Sequence, residues 1–281
     1  MRIQSSVCGR CLKAFWRSRL ILSLCILAYC ALWNHSLSTY LDGVASAISG
    51  PNEPPLAKVE NILAWLKRRQ EVLPQVPISL SRQRDVARIM NDQEALKVCG
   101  FASFLFVNIA KKSNLKARRL LLLRQNGGAG HIVVEVLLDG TWVIADPAFT
   151  RLLRDSEGRL LTKEQLKDAA LLNQAMKGIP SDLLAFSYER PVYIRLERVP
   201  GLGRFLRHGL SSLSPRWEEK TAQVIAILDR DSTVALALSL MTVLICIPGS
   251  IKANSAVFQF FWGHFFCQGP PAQAKQIGPR S

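Results

Sequence analysis

The central part of this 281-residue chain has almost no cysteine. Only Cys99 lies between residues 52 and 231, and the other six lie near the chain ends or in two apolar segments. This scarcity excludes a disulfide within the central region, even in an oxidising compartment. A lone thiol of this kind is either a buried structural residue or a nucleophile.

Charged residues are missing from two further segments. Residues 20–41 and residues 232–251 contain no Lys, Arg, Asp or Glu, and a helix needs roughly 20 apolar residues to cross a bilayer. We therefore predict two transmembrane segments at these positions. The alternatives are a cleaved signal peptide for the first and a buried core helix for the second. No small-residue cleavage site follows the first segment, and charged residues flank the second, which favours two spans.

The distribution of charge predicts an orientation. Residues 1–19 carry five basic groups, and no acidic residue occurs before Asp42. Cytoplasmic flanks of membrane spans are enriched in Lys and Arg. We therefore expect residues 1–19 and the C-terminal tail, residues 252–281, in the cytoplasm. The central domain, residues 52–231, would lie on the non-cytoplasmic side, and the lipid bilayer would be a partner.

Other absences exclude several binding functions. The glycine-rich stretch at residues 126–130 lacks the Lys-Ser/Thr pair of a phosphate-binding loop. The basic run at residues 111–124 lacks the interleaved aromatic residues of single-strand nucleic-acid binders. The pairs C-x-x-C at residues 8–11 and H-x-x-C at residues 264–267 have zinc-ligand spacing. No folded sequence accompanies either pair, so we predict no metal, no cofactor and no nucleic-acid partner.

The central domain mixes helical and strand patterns. Apolar spacing, capping residues and β-branched runs predict helices at residues 56–72, 82–98 with a break near Asn91, 99–114 and 161–177. A strand is predicted at residues 115–125, followed by a hairpin at residues 131–146. The fold class that these elements indicate is α+β.

The hairpin places a histidine beside an aspartate. Its Asp139-Gly140 turn favours type I′ geometry, which fixes the register of the two strands. Because side chains two residues apart share a face, His131 and Asp146 become diagonal neighbours within reach of each other. A carboxylate beside an imidazole fixes its tautomer and stabilises the imidazolium. Glu135 shares this face, and we expect it to pair with a nearby arginine.

Cys99 is the candidate nucleophile for that pair. It stands at the predicted start of a helix, where the positive end of the macrodipole stabilises a thiolate. A protonated His131 beside it would lower its pKa further. The backbone N–H of Gly100 and the side chain of Gln93 are candidate oxyanion donors.

The order of these residues resembles the transglutaminase-like superfamily, which has a papain-like core. The matching segments are VCGFASFLFVNIAKKSNLKARRL around Cys99, GHIVVEVLLDGTW from Gly130 and WVIADPAF from Trp142. A Cys-Gly pair that opens an apolar helix, a His-x-x-x-Glu-Val strand and a Trp-x-x-x-Asp-Pro ending recur in that family. The resemblance implies a core at residues 93–150 in which a Cys-bearing helix packs on a small antiparallel sheet.

The resemblance implies thiol acyl-transfer chemistry through Cys99, His131 and Asp146. We therefore predict a membrane-anchored cysteine protease, amidase or transamidase that acts on a peptide or another amide-bearing substrate. The alternative is a catalytically silent scaffold that holds a membrane or envelope protein partner. A purely structural two-span protein would require the His131–Asp146 pairing to be a coincidence.

Overall fold

The computed structural model describes residues 3–72, 86–124, 129–179, 186–193, 203–214, 217–219, 221–222 and 238–244. The chain divides into two compact units, Asn34–Thr233 and Met1–Trp33 with Val234–Ser281. The predicted tail at residues 252–281 lies outside the described residues. So does most of the predicted span at residues 232–251, of which residues 238–244 are helical.

The first helix, α1 (Ile3–Ile48), is continuous and longer than the segment predicted from its apolar residues. Its part from Ser18 to Ile48 is long and apolar enough to cross a membrane, a test that a signal sequence also passes. Within the larger unit, Leu37, Leu41 and Ala45 are buried and belong to the hydrophobic core. The compact unit therefore begins before residue 52 and includes the last turns of α1.

The larger unit is an α+β structure built on an antiparallel sheet. Its helices after α1 are α2 (Pro55–Val72), α3 (Val86–Met90), α4 (Gln93–Lys97), α5 (Cys99–Lys112), α6 (Ala169–Ala175) and α7 (Gly203–Leu213). Its strands are β1 (Ala117–Arg124), β2 (Ala129–Leu138), β3 (Thr141–Asp146), β4 (Arg151–Leu152) and β5 (Phe186–Val192). The strand order in the sheet is β4-β3-β2-β1-β5.

Capping explains the break between α3 and α4. Asp92 has extended backbone angles, and its side chain accepts a hydrogen bond from the Ala95 N–H at 3.1 Å. An aspartate in this position satisfies one of the unpaired N–H groups at a helix start. The predicted interruption near Asn91 is therefore confirmed, and the first residues of that predicted helix, 82–85, lie outside the described part of the chain.

The prediction of one helix at residues 161–177 is wrong. Thr162 and Gln165 form the predicted capping contacts, but they open only a 3₁₀ turn, Gln165–Lys167. Asp168 then takes an extended conformation and accepts the Ala170 N–H at 2.8 Å, which starts the separate helix α6. A second N-cap inside the apolar pattern overrides the pattern's continuity.

The predicted register of the hairpin is confirmed. Leu138 pairs with Thr141 and Glu135 pairs with Ile144. Asp139 and Gly140 have φ values of 47° and 82°. Both values lie in the left-handed region, as a type I′ turn requires.

The sheet is covered on both faces, and β1, β2 and β3 each contribute to two cores. The core beneath α2, α3, α4 and α5 includes the fully buried residues Leu105, Phe106, Ile109, Val134 and Ala145. The core beneath the 3₁₀ turn and α6 includes Leu120, Leu122, Val133, Ile144 and Leu161. Burying each such aliphatic or aromatic side chain stabilises the fold by roughly 1.5–3 kcal/mol. The strands that carry His131 and Asp146 are therefore packed on both faces.

Candidate active site

His131 and Asp146 form a short hydrogen bond across β2 and β3. The distance between His131 Nε2 and Asp146 Oδ2 is 2.6 Å, and both side chains are buried. The predicted diagonal contact is thus present. Nε2 is held by the carboxylate, so the other ring nitrogen, Nδ1, is left for a further partner.

The second oxygen of Asp146 is held by the backbone that follows it. Oδ1 accepts the N–H groups of Ala148 at 3.1 Å and Phe149 at 3.3 Å. Hydrogen bonds to a carboxylate favour its charged form. These two donors compensate for the complete burial of Asp146 and leave Oδ2 directed at His131.

A β-bulge positions the start of β2. His131 pairs with Leu122, whereas the next residue of β1, Leu123, pairs with Ala129, so Gly130 is the extra residue. A Cβ atom at Gly130 would lie 2.2 Å from the Leu122 carbonyl oxygen. Only glycine permits this close backbone approach. Gly130 is thus a requirement of the site that follows it.

Cys99 is the first residue of α5 and lies beside the first residues of β2. Its side chain is half-buried and lies close enough to His131 and to the Ile132 backbone for both to lower its pKa. The Ser103 hydroxyl donates to the Ile132 carbonyl at 2.9 Å, which holds the N-terminal part of α5 against β2. The structure therefore brings Cys99, His131 and Asp146 together in that order.

The surroundings of Cys99 and His131 shift their pKa values in opposite directions. Burial raises the pKa of Cys99, but the hydrogen bond to His131, its charge and the Ile132 backbone outweigh burial and leave that pKa below the ordinary value. Burial likewise lowers the pKa of His131. The hydrogen bonds to Asp146 and Cys99, with the charges of both, nevertheless raise the pKa of His131 to about 9. Together these shifts favour a thiolate beside an imidazolium.

Two phenylalanines hold the imidazole ring. The ring of Phe186 stacks on His131 with centroids 5.0 Å apart, and Phe149 lies at 5.4 Å in a tilted arrangement. Aromatic rings attract a cation through the negative charge on their faces. Neither residue was predicted from sequence. Phe186 reaches the site only through the pairing of β5 with β1.

The two candidate oxyanion donors differ: the start of α5 at Gly100 has no side-chain cap, whereas the side chain of Gln93 is hydrogen-bonded to Gln70. The N-cap of α5, Val98, makes no side-chain hydrogen bond, so it caps no N–H of Cys99 or Gly100. A Cβ atom at Gly100 would meet only Ile132 Cδ1 at 3.6 Å, so this position tolerates a side chain. The amide nitrogen of Gln93 donates to the Gln70 carbonyl, which occupies one of its two N–H groups.

No family model, curated protein or solved structure matches this chain.

The predicted pairing of Glu135 with an arginine is confirmed. Glu135 Oε2 lies 2.6 Å from Arg118 Nε, and both side chains are buried. The Tyr193 hydroxyl donates to the same oxygen at 2.8 Å. The guanidinium lies between the rings of Trp142, at 4.1 Å, and Tyr193, at 4.7 Å. This cluster is a buried ion pair on the same sheet face as the site.

The described residues contain no group of three or more His, Cys, Asp and Glu side chains that could hold a metal ion. Of the two sequence pairs with zinc-ligand spacing, residues 264–267 lie outside the described part of the chain. The side chains at residues 8–11 do so as well.

Proposed function

We propose that this chain is a thiol acyl-transfer enzyme of the transglutaminase-like, papain-like type, with Cys99 as its nucleophile. One observation carries the proposal. Asp146 Oδ2 holds His131 Nε2 at 2.6 Å, and Cys99 lies beside the same imidazole, so that the pKa of the thiol is lowered and that of the imidazole is raised. Structural cysteines at helix starts have no need of such a relay.

In the first half-reaction, the Cys99 thiolate attacks the carbonyl carbon of an amide. The carbonyl oxygen becomes an oxyanion that the N–H groups of Cys99 and Gly100 at the uncapped start of α5 can bind. His131 donates the proton on Nδ1 to the departing nitrogen as the C–N bond breaks. The products are a free amine and a thioester on Cys99, and His131 is then neutral.

In the second half-reaction, neutral His131 removes a proton from an incoming water. The water oxygen attacks the thioester carbonyl, the C–S bond breaks and the carboxylic acid leaves, which regenerates the thiolate–imidazolium pair. An amine in place of water would give a new amide. Hydrolysis of a peptide or amide bond is the reaction we favour, because water requires no second binding site.

The pKa of His131 predicts that amide hydrolysis and alkylation of Cys99 depend on pH in different ways. Protonated His131 is needed to release the amine, so amide hydrolysis falls as pH rises through about 9. Alkylation of Cys99 needs only the thiolate, so it does not fall there. Both reactions fall at low pH, where Cys99 becomes protonated, and the two ionisations belong to the coupled pair.

We propose that the enzyme is anchored in a membrane. The apolar length of α1 from Ser18 to Ile48 supports one span. A second span at residues 232–251 and a non-cytoplasmic location of the domain rest on composition and charge alone. The bilayer would then hold the domain near membrane-associated amide or peptide substrates.

The test is the alkylation of Cys99 by iodoacetamide in detergent-solubilised full-length protein, followed by mass spectrometry of the Cys99 peptide. At about pH 6 an unperturbed thiol is roughly 0.3% ionised, so an activated Cys99 should react several-fold faster than glutathione. His131→Ala should abolish the excess, whereas His208→Ala, at an exposed position in α7, should keep it.

Two results would contradict the activated thiolate: equal rates for Cys99 and glutathione, or no effect of His131→Ala. A separate experiment tests turnover itself: whole membranes are treated with an amide-based probe that can acylate a catalytic thiol. A covalent acyl adduct on Cys99 supports the enzyme. If cellular function survives in Cys99→Ala, the chain is instead a silent scaffold for a membrane protein partner.

A further inference from the structure

Gln70 lies on α2, outside the sheet, yet its side chain reaches both arms of the site. Its Nε2 donates to the Leu96 carbonyl at 2.8 Å and to the Ala148 carbonyl at 3.3 Å, with a longer contact of 3.5 Å to the Pro147 carbonyl. Leu96 lies three residues before Cys99. The other two carbonyls follow Asp146 directly. No pattern in the sequence marks this glutamine.

Gln70 and Asp146 hold the same two peptide units from opposite ends. The unit between Pro147 and Ala148 offers its carbonyl to Gln70 and its N–H to Asp146 Oδ1. The unit between Ala148 and Phe149 does the same. A peptide whose carbonyl accepts a hydrogen bond is polarised, so that its N–H becomes a stronger donor. Nε2 carries two hydrogens, and with one donated to Leu96 the other is shared between these two carbonyls. Gln70 therefore orients both backbone donors to the buried carboxylate.

The backbone of Gln70 also takes part. Its carbonyl accepts the side-chain amide of Gln93, which stands at the start of α4. The side chain of Gln70 reaches Leu96 near the end of the same helix. One residue of α2 thus fixes α4, which leads into Cys99, and the turn that follows Asp146.

We propose that Gln70 is a positioning residue that sets the charge state of the Cys99–His131–Asp146 relay. This inference rests on the proposed function. Without the two N–H groups of Gln70, the turn at residues 147–149 loses its outer support and its hold on Asp146 Oδ1 weakens. Asp146 Oδ2 is then held less firmly against His131 Nε2, so the imidazolium loses its positioned partner and the pKa of Cys99 rises.

Gln70→Met tests this proposal because methionine has a similar length and volume and donates no hydrogen bond. The measurement is the pH profile of Cys99 alkylation by iodoacetamide, in detergent, with the melting temperature recorded alongside. We expect the acid limb to move to higher pH by about one unit, which is about tenfold less thiolate below the midpoint. Gln70→Glu, which presents acceptor oxygens to the same carbonyls when ionised, should move it further.

Asn61→Leu is the matched control. Asn61 lies on the same helix, is half-buried, and donates one side-chain hydrogen bond to Glu53 at 2.7 Å. It should lower the melting temperature as Gln70→Met does and leave the alkylation profile unchanged. If both Gln70 variants keep the wild-type profile, or if Asn61→Leu shifts it equally, Gln70 has no positioning role.

The proposed function fails by a different result. Wild-type Cys99 would then show no excess reactivity over glutathione, and His131→Ala would change nothing. A reactive wild-type thiol with unaffected Gln70 variants overturns only the role of Gln70.

Discussion

Asp146→Asn is the substitution that tests the relay most directly. Asparagine has the shape of aspartate, but its two ends differ, and the structure gives it no suitable orientation. With its oxygen toward the N–H groups of Ala148 and Phe149, its NH₂ faces His131 Nε2 and excludes a proton there. In the reverse orientation the NH₂ faces two backbone donors. Either orientation removes the anionic partner of the imidazolium.

The magnitude follows from the pKa of His131. Its rise from 6.5 to about 9 corresponds to about 3 kcal/mol of preference for the charged ring. The Cys99 thiolate supplies part of this preference. We therefore expect Asp146→Asn to weaken the thiolate–imidazolium pair by about 2 kcal/mol, which moves the acid limb of Cys99 alkylation to higher pH by about 1.5 units.

The assay is peptide-resolved alkylation of Cys99 by iodoacetamide across a pH series, in detergent micelles. Asp155→Asn is the control, because Asp155 Oδ1 also accepts two backbone N–H groups, from Glu157 at 3.0 Å and Arg159 at 2.9 Å. That variant loses a surface contact and should keep the wild-type profile. If the profile of Asp146→Asn superimposes on the wild type, Asp146 does not control the charge state of the pair.

Two further predictions concern stability. Gly130→Ala should lower the free energy of unfolding by about 3 kcal/mol, because the new Cβ would lie 2.2 Å from the Leu122 carbonyl oxygen. Urea unfolding measures this loss of stability. An equal loss in Gly100→Ala, where a Cβ has room, would contradict the reasoning. Glu135→Gln should lower the free energy of unfolding by about 3–5 kcal/mol, because it removes the charge paired with buried Arg118. The rate of Cys99 alkylation should stay at the wild-type value. A slower rate would mean that this ion pair acts on the site.

Local rules were sufficient for part of the site. The Asp139-Gly140 turn fixes a two-residue connection, and the two-residue period of a strand then determines which side chains are neighbours. From these rules alone, His131 and Asp146 had to meet. The meeting of Cys99 with His131 has no such local basis, since α5 and β1 intervene. It was expected only from the order of residues that resembles the transglutaminase-like superfamily.

Local patterns failed where packing or a competing cap decided the outcome. The apolar spacing at residues 161–177 is continuous, yet the side chain of Asp168 restarts the helix. The uncharged run at residues 20–41 predicts a separate segment, but α1 continues to Ile48 and buries Leu41 in the domain core.

The sequence by itself determined the hairpin, its register and the contact between the imidazole and the carboxylate, because these depend only on two strands joined by one tight turn. Tertiary structure alone decided which side chains surround that contact. The pairing of β5 with β1 places Phe186 beside the imidazole. Gln70 lies on α2 and contacts the site through hydrogen bonds to backbone carbonyls. Partners of backbone groups leave no mark on sequence periodicity, since every residue offers the same carbonyl.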